Sequence, residues 1–355
     1  MSLTHKAAFY NKVDGKADIQ SRPNPLPEKG QVSVEITATS LNPVDWKIRA
    51  GAFPFTLPAV IGGDAAGVVH SVGKGVKNFK KGDRVFFQGY LGENDASTFQ
   101  GKAVLDEKHI SHTPSNVSDA EASGIQLASM VAVVGLYHES GALALRPCPW
   151  EEGGDKAGEG KAIVVLGGSS SVGQYVIQLC RLSGFSKIIT TSSSTHSSHL
   201  QSLGAHTVLD RNTATPDQFI EAAAGIPLVA VYDSIGSDET YKLGVGLLQE
   251  ANKEGQGQGA SHYISVIPGT ESQNFTNPDV TVRAVMGFNK HPDHEGICPP
   301  FIAAISGEDG WVGKGLYKPN RMEKIEGGLK GLDEGLDRLK EGVSGVKLWL
   351  DPRET

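Results

Sequence analysis

The stretch Lys161 to Gly184, KAIVVLGGSSSVGQYVIQLCRLSG, has residue types and spacing suited to holding a pyrophosphate. Its centre is a run of small residues, Gly167, Gly168, Ser169, Ser170, Ser171, Val172 and Gly173. Small residues let a backbone come close to an anion, and a helix that starts there points its N–H groups at the charge. Gly167 and Gly173 stand at the outer glycine positions of a dinucleotide turn. Ser170 stands at the middle one, with a hydroxyl that could donate to a phosphate. A bland strand-to-helix turn has much the same composition, so the flanking elements must decide.

Those elements support a nucleotide turn. Ala162 to Leu166 is a continuous apolar run, as expected of a strand buried on both faces. Val172, Val176, Ile177, Leu179, Cys180 and Leu182 recur at helical spacing, and Gly184 is a helix stop. Lys187 to Thr191 reads as a second strand, Leu200, Leu203 and Val208 continue the alternation, and Leu228 to Tyr232 is another buried run. Strands alternating with helices imply a doubly wound parallel sheet. A nucleotide would then meet Ser234 and Ile235 after the fourth strand, and Val266 and Ile267 after the fifth.

The end of the second strand bears on the cofactor. An NAD site places a carboxylate there for the ribose hydroxyls, and that carboxylate would repel the extra phosphate of NADP. No Asp or Glu occurs from Lys161 to Leu209. Ser192, Ser193, Ser194 and His196, with Arg211 further on, read as a 2′-phosphate pocket, and the cofactor expected is NADPH. An ordinary polar loop is the alternative.

The 355 residues suffice for two domains, and a net charge of −7 argues against a nucleic-acid surface. Cys148, Cys180 and Cys298 are too far apart for metal spacing and suggest a reducing compartment. No signal peptide and no membrane-spanning run is evident, so the expected location is cytoplasmic.

Before the central stretch, short runs separated by glycine turns read as a mostly-β, barrel-like domain. Lys6 to Tyr10 is a strand followed by a polar loop, and Gln31 to Thr39 alternates as a half-buried strand. Ala120 to Leu145 is largely helical, Arg146 to Gly160 reads as an exposed insertion, and Glu250 to Ala260 as a flexible loop. Ser261 to Pro268 and Val280 to Phe288 read as strands, Asn289 to Lys318 as irregular, Ile325 to Leu339 as helical, and Val346 to Leu350 as a returning strand.

Four segments occur in a telling order. They are Leu41-Asn42-Pro43-Val44-Asp45-Trp46-Lys47, Pro58 to Gly67 (PAVIGGDAAG), Lys81-Gly82-Asp83-Arg84-Val85, and the glycine turn, with Leu203-Gly204-Ala205 beyond. With these motifs over nearly its whole length, the chain resembles the zinc-free medium-chain dehydrogenases/reductases. Ser170 and the closing Ser344 to Leu348 segment make it most similar to quinone-oxidoreductase-like proteins and lovastatin-type fungal trans-acting enoyl reductases. The resemblance implies a GroES-like catalytic domain at 1–128, an NADPH-binding Rossmann domain at 129–270, and a return segment at 271–355 completing both.

Zinc-dependent relatives use a Cys in the first segment and a His-Glu pair in the second; here Asn42, Gly63 and Asp64 stand there, so no metal is expected. His109 and His112 are expected on the surface or in a loop. Family members often carry a Thr facing the nicotinamide in the crossover helix; the nearest register here gives Val133, with Gln126 and Ser129 as polar alternatives. Lys47 is expected to bind cofactor ribose or phosphate, or substrate oxygen, with Asp45 orienting it; a solvated ion pair is the alternative. Lys347 is counted with the cofactor-binding residues. Tyr90 is the nearest tyrosine that could donate a proton, and solvent is the other source.

The chemistry implied is hydride addition to the β-carbon of an enone, enal or enoyl thioester, either free-standing or in trans to a polyketide synthase, by a monomer or homodimer. A quinone reductase of the same fold, and an NADPH-binding sensor or structural protein without catalysis, remain alternatives.

Overall fold

A computed structural model describes residues 3–253, 255, 261–266 and 280–355. The chain divides into two units, residues 1–127 with 302–355, and residues 128–301.

The first unit is built mostly from strands. β1 (Thr4–Tyr10) pairs antiparallel with β2 (Asp18–Pro23), a strand inside the stretch expected to be a polar loop. One face of that ribbon is solvated, which is why its sequence lacks an apolar pattern. β3 (Gln31–Ser40) is followed by α1 (Pro43–Arg49), β4 (Ala59–Val60), β5 (Asp64–Val72), β6 (Arg84–Gln88), β7 (Lys102–Asp106), β8 (Ile110–His112) and the short α2 (Asp119–Ala122). β3 is the hub, pairing antiparallel with both β5 and β7. It is not half-buried as its alternation suggests; within it Glu35 is exposed and nearly every other residue is buried. One face packs into a core of Val32, Val34, Ile36, Val69, Phe87 and Leu105. On the other, Thr37 Oγ1 donates to Asp119 of α2 at 2.6 Å.

α3 (Gln126–Tyr137) leads into the second unit. The helical stretch expected over Ala120–Leu145 is broken on both sides of it, by a turn at Ser123 and by left-handed backbone at Ala142 and Ala144. The window Asp119–Tyr137 is long and apolar enough to cross a membrane, contrary to expectation, but 78% of it is buried inside the protein, as in a core helix. The stretch Arg146–Gly160 is not simply exposed: Cys148 is fully buried and the Trp150 ring packs edge-on against Tyr137.

In the second unit, apolar runs become parallel strands and the intervening periodic runs become helices. The order is β9 (Ala162–Leu166), α4 (Ser171–Leu182), β10 (Lys187–Ser192), α5 (Ser197–Leu203), β11 (Thr207–Asp210), α6 (Pro216–Ala223), β12 (Leu228–Asp233), α7 (Asp238–Lys253), β13 (Ser261–Ser265) and β14 (Val280–Ala284). Among the described residues they form one six-stranded parallel sheet, ordered β11-β10-β9-β12-β13-β14. The order reverses direction at β9, where ligands bind in open α/β sheets. Val164, Leu166, Ile189, Val231, Leu247 and Tyr263 share its core.

Helix α7 takes up the first residues of the expected Glu250–Ala260 loop; residues 254 and 256–260, and the strand end at Ile267 and Pro268, lie outside the described residues. Within the supposedly irregular 289–318 stretch lies α8 (Cys298–Ile305), whose apolar run begins with two prolines that fit a helix's first turn. The chain then returns to the first unit through β15 (Met322–Lys324), α9 (Leu332–Glu341) and β16 (Lys347–Leu350), with β16 antiparallel to the end of β3.

Where β5 crosses β3, a Cβ on Gly67 would stand 2.0 Å from the Glu35 carbonyl oxygen, a backbone atom that cannot move aside. Gly67→Ala is expected to destabilise the fold by about 2–4 kcal/mol. Urea unfolding measures this, and an unchanged midpoint would contradict the packing described.

Candidate functional site

In the second unit, the turn between β9 and α4 has no room for a side chain at its three glycines. Gly167 has φ +79°, and a Cβ there would meet the Ile235 side chain at 2.4 Å. A Cβ on Gly168 would lie 2.1 Å from Thr190 Oγ1, and one on Gly173 only 2.4 Å from the Gly167 carbonyl oxygen. Thr191 fixes the turn from β10: Gly167 N–H donates to its Oγ1 at 3.0 Å and Gly168 N–H to its carbonyl at 2.9 Å. Ser169, Ser171 and Val172 complete the turn and open α4.

Ser170 has a different role from the one its hydroxyl suggests. It is the N-cap of α4, and its Oγ accepts from Gly173 N–H at 2.9 Å. Its proton goes to Ser234 Oγ at 2.9 Å, and Ser234 in turn donates to the Leu166 carbonyl at 2.6 Å. The hydroxyl therefore clamps the turn to the end of β12 and does not point outward as a phosphate donor.

Asp233, read from the sequence only as the end of the fourth strand, shapes the β12 end. Asp233 is fully buried and accepts from the Ile235 and Gly236 N–H groups, from Thr240 Oγ1 at 2.6 Å and from Tyr263 Oη at 2.5 Å. A single carboxylate thereby sets the Ser234–Gly236 turn and leaves Ile235 47% exposed beside Gly167. Burial and the adjoining Asp233 push the Tyr263 phenol far up, so it stays a donor. Val266, half-buried after β13, donates its N–H to the Asp233 carbonyl.

The hydroxyl cluster gathers at the end of β10. Ser192 is 1% exposed, and its Oγ has no hydrogen-bond partner. Ser193 Oγ lies 3.1 Å from Thr195 Oγ1, and Ser194 to His196 form one 3-10 turn. Arg211, exposed, donates its N–H to the Ser192 carbonyl, which brings it to the same sheet edge. Asp210 is also there, paired in register with Ser192 on β11, but its carboxylate accepts from Asn212 N–H and turns into its own loop.

In the first unit, the segment around Lys47 folds as α1 because Asn42 caps it and Pro43 starts it. Asp45 accepts from Asn42 N–H at 2.7 Å. Its other oxygen is buried without a partner. Burial raises its pKa to about 7, opposed by the Asn42 N–H and the Lys347 ammonium. Asp45 is thus a capping residue turned away from Lys47, and the expected orienting pair is not formed. Lys47 lies half-buried with its Nζ 5.7 Å from the Trp46 ring centroid, and burial lowers its pKa.

Tyr90 is buried in the strand core, its Oη 2.6 Å from His109 Nδ1 and accepting from Asp106 N–H. That placement suits a loop clasp, not an exposed proton donor. His109 is buried with it, against the surface position expected, while His112 stacks on Phe79. Gln126 bonds the β6 backbone at Phe86 and Gln88, so it too is structural, and Val133 is fully buried.

Lys347 makes its contacts inside the protein. Its ammonium is buried, 3.0 Å from Asp64 Oδ2 and donating to Asn42 Oδ1 at 2.7 Å. Asn42 Nδ2 donates to the same Asp64 oxygen at 3.1 Å, and Leu127 N–H donates to the other at 2.9 Å. Burial pushes the Asp64 carboxyl up against the pull of Lys347. A charged side chain opening the apolar β16 run was the available signal.

The positions that would ligate zinc do not fit the metal. Asn42 and Asp64 already share an ammonium, and a Cβ on Gly63 would lie 2.5 Å from Leu127 Cδ1. Among the described residues no three His, Cys, Asp or Glu side chains group as metal ligands.

A mostly-β unit with this α1 segment and a parallel sheet with a close-packed glycine turn define a two-unit, pyridine-nucleotide-binding oxidoreductase fold. Residues 28–114 match the alcohol dehydrogenase GroES-like domain, and residues 171–286 match the family described as zinc-binding dehydrogenase. The chain belongs to the medium-chain dehydrogenase/reductase family. It is 29% identical to a trans-enoyl reductase of Gibberella fujikuroi, over 92% of this chain and 93% of the relative. It is 36% identical to 2-methylene-furan-3-one reductase of Solanum lycopersicum, over 60% of this chain and 51% of that one. In fold it is similar to an alcohol dehydrogenase superfamily protein of Novosphingobium aromaticivorans, with TM-score 0.74 and 23% identity over 98% and 99% of the two chains.

The raised pKa of Asp45 gives a stability prediction. Between its ordinary value of 3.8 and about 7, the folded chain holds a proton that the unfolded chain has lost. Stability therefore falls as pH rises through that window and levels off above it. Asp64 adds to the same slope. Asp45→Asn keeps an acceptor for Asn42 N–H and should flatten the profile. Denaturant unfolding from pH 4 to 8 tests this, and a slope as steep as the native one would contradict it.

Proposed function

We propose that the protein is an NADPH-dependent, zinc-independent reductase that adds hydride to an activated C=C bond. The observation carrying this reading is the β10 end: a turn with no room for a side chain at Gly167, Gly168 or Gly173 lies beside a hydroxyl cluster holding a buried, unpartnered Ser192 Oγ, and the Asp210 carboxylate at that edge is engaged by Asn212 N–H. Such a cradle fits a pyrophosphate, and the hydroxyls with Arg211 fit a 2′-phosphate. Gly167 to Gly173 would hold the pyrophosphate, with Ser170 acting through the turn it caps. Ser192, Ser193, Ser194, His196 and Arg211 would hold the 2′-phosphate, and Ser234, Ile235 and Val266 would flank the nicotinamide.

NADPH, when bound, supplies the hydride. The remaining work falls to the chain's own groups. Without a Lewis acid, a plain ketone is hard to polarise, whereas a conjugated acceptor needs only its enolate oxygen stabilised. Lys47 is the group assigned to that oxygen, since its Nζ has an aromatic neighbour and Asp45 is engaged by Asn42 N–H instead. With Tyr90 clasped to His109, the α-carbon takes its proton from solvent. The trans-enoyl and furanone reductases among the relatives support the substrate class. Acyl thioesters, including carrier-bound chains presented by a polyketide synthase, belong to the same class.

A panel of an enone, an enal, an enoyl thioester and a quinone with NADPH tests the reading. Turnover of the alkenes is expected; turnover of the quinone alone would replace it with quinone reduction, and none at all with a binding protein. NADPH should bind about tenfold or more tighter than NADH, a gap of ~1.4 kcal/mol. Equal affinities by calorimetry would remove the 2′-phosphate assignment. Lys47→Met should lower kcat on the order of 100-fold while NADPH still binds.

A further inference from the structure

The first unit buries an ion pair that the proposed reaction does not use. Lys347 is 4% exposed at the start of β16, and Asp64 is fully buried at the start of β5. Taking both charges out of water is expensive, and a buried pair of this kind adds little net stability over an apolar contact. Its geometry shows what it does fix. The Lys347 ammonium orients the Asn42 amide, with Oδ1 facing Nζ and Nδ2 facing Asp64. Asp45 holds the Asn42 backbone N–H, and the Asn42 carbonyl accepts from Asp45 N–H at 2.9 Å. Asn42 is therefore held through side chain and backbone, and it is the N-cap of α1. α1 has seven residues, too few to persist unaided, and it carries Lys47. Its other end is tied to α9 by the ion pair of Arg49 with Asp337.

The misfit to zinc thus has a positive reading. At Asn42 and Asp64, positions that hold a dissociable cation in zinc-dependent relatives, this chain places a tethered one. We propose that Lys347 is a positioning residue for the reaction, its ammonium fixing Asn42 and, through it, the helix that presents Lys47. This rests on the role assigned to Lys47 above.

The single variant Lys347→Met leaves a buried carboxylate unpaired and would be expected to fold poorly. The test therefore uses Lys347→Met with Asp64→Asn, which removes both charges, and separately Asn42→Ala, which leaves the ion pair and removes the amide link. Hydrogen exchange of the α1 amides, NADPH affinity, and kcat and KM for an enone are measured on the full chain. In both variants the α1 amides should exchange about tenfold or more faster, while the β9–β14 sheet stays protected. NADPH Kd should stay within about twofold, and kcat should fall about tenfold or more with KM little changed. Unchanged α1 exchange, or wild-type kcat, in a folded variant would overturn the proposal. Failure of the Lys47 role would appear differently, as a Lys47→Met enzyme with wild-type kcat while α1 exchange still responds to the change at Lys347.

Discussion

The turn from β9 into α4 leaves no room for a side chain at Gly168 or Gly173, and much of the second unit follows from that closeness. The turn is held by Thr191 from one neighbouring strand and by Ser170 through Ser234 from the other. Both strands end at the same level because the sheet is parallel and its order reverses at β9. Asp233 then sets the turn after β12 with four accepted hydrogen bonds. A fixed cradle of this kind can hold an anion without rearranging, which is where its binding advantage lies.

In the first unit Lys47 stands on a short helix. α1 is too short to rely on its own propensity, so its ends are tied to distant parts of the chain: the N-terminus to β5 and β16, the C-terminus to α9. Two buried carboxylates and one buried ammonium lie together there, and the unpaired Asp45 oxygen is the natural site of a proton. The burial of these charges thus also makes the region sensitive to pH.

Most of the parallel sheet was legible because buried strands and amphipathic helices write different periods. The glycines at 167 and 173 were legible for a similar reason, since only close backbone approach demands them. β2 was not, because a solvated ribbon strand such as Asp18–Pro23 carries no apolar alternation. The internal partners of Ser170, Asp45, Tyr90 and Lys347 were not legible, for one shared reason. Each is a polar residue with chemistry to offer, and in each the fold uses that chemistry internally, as a cap, a clasp or a counter-ion. A sequence gives the functional group but not the partner, and Asp64 with Lys347, separated by nearly the whole chain, meet only in three dimensions.

Conjugate hydride addition to an activated double bond leaves a defined isotope pattern. NADPH dideuterated at C4 is supplied with an enone, and the product is read by NMR. One deuterium is expected at the β-carbon of a saturated ketone, with a solvent-derived proton at the α-carbon. Deuterium at the carbonyl carbon of an unsaturated alcohol would contradict conjugate addition.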